Sequence, residues 1–169
     1  MGFPMNPKIE PMALRDLILF ASKQAEKLFR KQGAIYPLYH CIKANGDTVI
    51  LSAFDADKDL SVAMTVAWMQ LNDVDRFVFF DEAWMIDTTK IGGPPLDLKW
   101  IERHGVRNHP DRREAVMFSA ESRRGEALTA KRYILRPEIG RPTLAPLVID
   151  PPFDHSEGRM VGLLQRGTK

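Results

Sequence analysis

Hydrophobic and polar positions alternate over their longest stretch between Arg76 and Asp87, Arg-Phe-Val-Phe-Phe-Asp-Glu-Ala-Trp-Met-Ile-Asp. A period of two puts Phe77, Phe79, Ala83 and Met85 on one face and Val78, Phe80, Trp84 and Ile86 on the other. A strand apolar on both faces belongs in the middle of a sheet that is covered on both sides. Asp81 and Glu82 interrupt the run, one pointing each way, where an unpaired charge is costly.

The period changes on either side of this strand. Leu14, Leu17, Ile18, Ala21, Ala25, Leu28 and Phe29 recur at helical spacing opposite Arg15, Lys23, Glu26, Lys27 and Arg30, which predicts a helix over 12–32. Pro11 suits its first position and Gly33 its stop, and residues 1–10 read as an extended lead-in. Two short β-like runs, 34–43 and 48–54, flank Ala44-Asn45-Gly46-Asp47, a hairpin signal. Asp57 or Asp59 then caps a second helix. From Leu60 to Asn72 that helix has no charged residue; Ser61, Thr65, Gln70 and Asn72 are its only polar side chains. A helix so apolar is expected to be buried on more than one side, under other elements or at a subunit interface.

Beyond the central strand, 88–112 reads as a long loop broken by Gly92-Gly93-Pro94-Pro95, with a helical turn over 99–104. Strands over 114–121 and 128–136 flank the turn at Arg123–Glu126. The segment 137–159 is rich in Pro and Gly and irregular, holding a short apolar run at 147–149, and 160–165 is a last candidate strand. The order α-β-β-α-β-β-β, with room for one more strand, gives a single α+β domain over 1–169. Its sheet is mainly antiparallel and it has two principal helices.

Composition narrows the classes. The 169 residues, 44% hydrophobic and 27% charged, suffice for one core, and a net charge of +2 gives no polycation to argue for nucleic acid. Cys41 is the only cysteine, which rules out an internal disulfide and a multi-cysteine zinc site, and its apolar strand context predicts a buried, inert thiol. The N-terminus lacks an export signal, and Asn6 stands where a myristoylation signal needs Ser or Thr. No apolar run approaches the roughly 20 residues of a membrane span. A cytoplasmic location without membrane contact is the expectation.

Three constellations carry candidate chemistry. Glu82, with Asp111, is the candidate catalytic carboxylate; the weightier reading pairs Asp81 or Glu82 with Arg113, Arg132 or Arg136 of a neighbouring strand. His104, His109, Asp111 and Glu114 have the ligand types of a divalent metal, with His155, Asp154 and Glu157 further on, but their spacing matches no closed motif. A divalent metal is therefore the one cofactor left open, and none is the expectation. Arginines dominate 99–141, yet strand alternation splits them between faces and no recognition motif accompanies them, so nucleic acid is disfavoured. The Gly92-Gly93 run lacks a phosphate loop's Lys-Ser/Thr ending, and Ser61, Ser119 and Ser122 lie in no nucleophile elbow.

The leading expectation is a non-enzymatic protein that binds a protein partner or assembles with itself, as a dimer, through Trp68, Met69 and Trp100. The alternative is a small metal-dependent hydrolase with its His/Asp/Glu cluster at the end of the central strand. A third reading is nucleic-acid binding through the arginine-rich second half.

Overall fold

The computed structural model describes residues 13–86, 97–151 and 162–166. The elements run α1 (Leu14–Gln32), β1 (Leu38–Lys43), β2 (Thr48–Ser52), α2 (Lys58–Leu71), β3 (Val74–Ile86), α3 (Leu98–His104), a 3-10 turn (Val106–Asn108), β4 (Arg112–Ser122), β5 (Ala127–Leu135), β6 (Thr143–Leu144) and β7 (Val148–Ile149). The strands form one antiparallel sheet in the order β2-β1-β3-β4-β5-β6, with β7 also on β5. The α+β class and the near-consecutive antiparallel order agree with the sequence pattern. The lead-in 1–10, the Gly92–Pro95 break and residues 152–159 lie outside the described residues.

β3 is central, flanked by β1 and β4, and the register confirms its two apolar faces. Val78 and Phe80 lie opposite Ala120 and Phe118; Phe77 and Phe79 lie opposite Glu121 and Ser119. The first face packs against α1, whose Leu14, Leu17, Ile18, Ala21, Ala25 and Phe29 form one core with Val78, Phe80, Val116 and Phe118. The second face packs against α2, where Val62 and Met69 meet Tyr39, Cys41, Val74 and Phe77. One two-sided strand thus requires one helix on each side.

Local signals set the ends. Gly33 takes a left-handed conformation (φ 72°) and its N–H donates to the Phe29 carbonyl at 2.8 Å, closing α1. The β1–β2 hairpin turns through Ala44-Asn45-Gly46: Lys43 N–H donates to Asp47 C=O at 2.8 Å, Gly46 N–H to Lys43 C=O at 2.9 Å, and Gly46 sits at φ 92°. This is a three-residue loop with glycine at its left-handed position rather than a two-residue turn.

Some details depart from the sequence reading. The helical turn expected at 99–104 is a two-turn helix capped by Asp97, whose carboxylate accepts the Trp100 N–H. The 137–159 segment contributes two short strands, β6 and β7, to the free edge of β5. Residues 162–166 form a turn and not a strand; 160 and 161 lie outside the described residues. Glu121 explains the turn. Its carboxylate accepts the Gly162 N–H at 2.7 Å and the Leu163 and Leu164 N–H groups, and this seats Leu163 in the core under α2. Burial pushes the Glu121 carboxyl up, opposed by these bonds. No helix among the described residues is long and apolar enough to cross a membrane.

The α1 face is pinned by one buried cation. Arg132 on β5 reaches Glu26 of α1 (Nη1 to Oε2, 2.9 Å), the Ala145 carbonyl (Nε, 2.7 Å), and Ser22 and the Leu144 carbonyl at 3.3–3.4 Å. The guanidinium holds the Glu26 carboxyl below its usual range. Arg132→Met removes the charge that four groups converge on, with an expected loss of about 2–4 kcal/mol in urea unfolding. Arg136→Met, at the more exposed Glu114 pair, is expected to change stability by under about 1 kcal/mol.

Candidate functional site

α2 presents the molecule's most distinctive surface. Asp57 starts it: one carboxylate oxygen accepts the N–H groups of Asp59 (3.1 Å) and Leu60 (3.0 Å), satisfying two orphan donors. Inside the helix, the Thr65 hydroxyl donates to the Ser61 carbonyl at 2.9 Å. The Asn72 side-chain amide closes it on the Trp68 carbonyl at 2.9 Å. Only Val62, Thr65 and Met69 are buried. Among the described residues the expected burial on more than one side is not met. Leu60, Ala63, Met64, Ala67 and Leu71 instead form a line on the opposite side, with Leu71 87% exposed. These positions step by three and four, the spacing of one helical face.

None of the three partner-facing candidates falls on this line. Met69 is 1% exposed and belongs to the core, and Trp68 is half-buried against the same cluster. Periodicity alone could not say which side of an uncharged helix meets the sheet. Trp100 is also half-buried: it lies tilted against His104 (centroids 4.6 Å apart) and meets His109 edge-on at 5.2 Å.

The acidic pair is divided by the sheet. Glu82, on the α1 face, accepts the Ile35 N–H at 2.7 Å and so ties the α1–β1 connection to β3. Neither carboxylate takes the expected arginine as its hydrogen-bond partner, although Arg136 lies close enough to Glu82 for their charges to attract. Arg132 goes to Glu26, Arg136 to Glu114, and Arg113 lies 3.4 Å over the Tyr133 ring. Asp81, on the α2 face, accepts the neighbouring Glu82 N–H at 2.7 Å. Burial pushes its carboxyl up to about 6; the Glu82 N–H and Lys58 pull the other way, and the Glu82 charge adds to the rise. Tyr39, whose hydroxyl bonds Thr65, lies close enough to feel Asp81, and burial pushes its phenol up to about 12.

The remaining candidates are dispersed. His109 Nδ1 accepts the Asp111 N–H at 3.1 Å, Glu114 is engaged by Arg136, and the imidazoles of His104 and His109 face Trp100. Among the described residues no group of three or more His, Cys, Asp or Glu side chains could hold a metal; His155, Asp154 and Glu157 lie outside them. Several cations of the second half are spent on internal contacts: Arg123 on Asp73 and the Val74 carbonyl, Lys131 on Asp150, and Arg112 over Trp84. Cys41 is fully buried, its thiol pushed up to about 12, in keeping with an inert side chain. A cavity of about 410 Å³ opens at the start of α1, lined by Arg76, Arg124 and Glu126 and by Leu14 and Leu128.

Comparison with protein families, with curated proteins and with solved structures found no match.

Two expectations follow for the acidic pair. A carboxyl raised from about 3.9 to about 6 binds its proton more readily in the folded state, so this site's stability falls as pH rises through that window. Asp81→Asn should therefore stabilise by about 1–3 kcal/mol at pH 8, and the gain should vanish near pH 4, read by denaturant unfolding at both values. Glu82→Ala, which strands the Ile35 N–H, should cost about 1–3 kcal/mol, whereas Glu82→Gln, which keeps an acceptor oxygen, should recover most of it.

Proposed function

We propose that this protein is a non-catalytic assembly module whose α2 face binds a second copy of the chain. The observation that carries the reading is the uncharged line Leu60, Ala63, Met64, Ala67 and Leu71, pointing away from its own core. Contiguous apolar faces of this kind mark interaction sites on soluble proteins.

Self-pairing is favoured because the face is complementary to itself. Two antiparallel α2 helices related by a two-fold axis level with the Thr65–Val66 peptide bring Leu60 opposite Leu71 and Met64 opposite Ala67, large against small. This register takes nothing from Lys58, which lies on the sheet side of α2 near Asp81. It lays each helix N-terminus beside the other's C-terminus, so the dipoles attract. The catalytic alternative draws its support from Asp81 and Tyr39 alone, which lack a nucleophile or metal set among the described residues.

Light-scattering mass measurement of the untagged protein tests the proposal. Met64→Glu or Ala67→Glu should lower the mass at fixed concentration while leaving the circular-dichroism spectrum of the folded chain unchanged, because both side chains point away from the core. A mass unchanged by either substitution would remove α2 as the interface.

A further inference from the structure

The free edge of the sheet carries a separate signal. β2 is the terminal strand, and among the described residues nothing pairs with its outer side. The hairpin decides which backbone groups that side presents. Lys43 N–H to Asp47 C=O (2.8 Å) and Ala53 N–H to Pro37 C=O (3.2 Å) bracket the β1–β2 ladder. Between them the register pairs Ile42 with Thr48, Cys41 with Val49, His40 with Ile50, Tyr39 with Leu51 and Leu38 with Ser52. The alternation of an antiparallel ladder then turns the N–H and C=O of Val49 and Leu51 toward β1, and those of Thr48, Ile50 and Ser52 outward. The same three residues have exposed side chains. Native edges of this kind are usually guarded by lysine, proline or a bulge. Thr48-Val-Ile-Leu-Ser52 has no charge and no proline, and its register with β1 runs without a shift.

We infer that β2 pairs antiparallel with β2 of a second copy about a two-fold axis through Ile50, so that two sheets become one. The backbone selects this register. Ile50 falls opposite Ile50 and Thr48 opposite Ser52, so all three outward N–H groups and all three outward carbonyls of each strand find partners. Moving the axis to Thr48 or Ser52 leaves part of each set unmatched. Charge agrees with the choice: Asp47 falls opposite Ala53 and Asn45 opposite Asp55, so no like charges meet. The side chains agree as well. Ile50, 61% exposed, stands beside His40 on the α1 face, and the His40 ring meets Phe20 edge-on at 5.0 Å between centroids. The second Ile50 adds to this apolar strip as a cross-strand neighbour. The contact uses other residues and another element than the α2 face and does not depend on it. A chain with both faces builds assemblies larger than a dimer.

Ile50→Pro is the test, because it deletes an outward N–H that the hairpin does not use. Ile50→Thr is the control that keeps the N–H and the strand preference. Mass across a concentration series should rise further for the wild type and Ile50→Thr than for Ile50→Pro. In wild-type protein, amide exchange at Thr48, Ile50 and Ser52 should slow as concentration rises. The slowing should persist in Met64→Glu, which separates this edge contact from the α2 contact. Exchange at Ile50 that is independent of concentration overturns the inference, as does an Ile50→Pro mass equal to wild type throughout. If Ile50→Pro fails to fold, the wild-type exchange series decides alone.

Discussion

A strand that is greasy on both sides cannot be satisfied by one helix. β3 carries Val78 and Phe80 on one face and Phe77 and Phe79 on the other, and each of the first three and Phe80's neighbour Phe118 is essentially shut off from water. At about 1.5–3 kcal/mol for each large side chain withdrawn from water, exposing either face would remove a large part of a domain's net stability. The remaining architecture answers this constraint. α1 covers one face along its apolar stripe, α2 covers part of the other, and Leu163, brought back by Glu121, adds to the cover beneath α2.

Polar groups inside this frame are satisfied mostly through main chain. Glu82 binds the Ile35 N–H, Glu121 binds three successive N–H groups, Asp57 binds two, and Arg132 takes two carbonyls of the β6 segment besides Glu26. Each of these bonds joins segments that are distant in sequence or fixes the end of a helix. Asp81 differs. Its one bond within hydrogen-bonding range is to the next residue's N–H, and its carboxyl remains raised by burial despite Lys58 nearby. Like the Glu121 carboxyl, which burial also raises, it is a place in the described core where ionisation works against the fold.

The elements were legible because each rests on a local or periodic signal. The stripe of α1, the glycine stop at Gly33, the hairpin at Asn45-Gly46 and the two-faced β3 follow from side-chain spacing and backbone preference. The short strands β6 and β7 did not follow, because two-residue pairings depend on a neighbour, β5, more than on their own residues. The site was legible in part. An uncharged α2 stood out, but its buried Met69 and half-buried Trp68 could not be told from its exposed Leu60, Met64 and Leu71 without knowing which side met Tyr39 and Phe77. The partner of Glu82 was out of reach for another reason. Every residue has an N–H, so a main-chain donor leaves no mark in a sequence, whereas arginine does.

The loop at Ala44-Asn45-Gly46 reaches further than the hairpin it closes. Its length sets the phase of the β1–β2 ladder, and that phase decides whether odd or even residues of β2 offer their amides to the outside. One residue more or fewer would exchange the roles of Val49 and Ile50 and would also turn Leu51 away from Tyr39. Insertions of one residue in this turn are therefore felt in two places at once, inside the core and along the sheet margin, while insertions of two keep the phase. A small glycine loop thereby acts as a reading frame for the whole edge of the molecule.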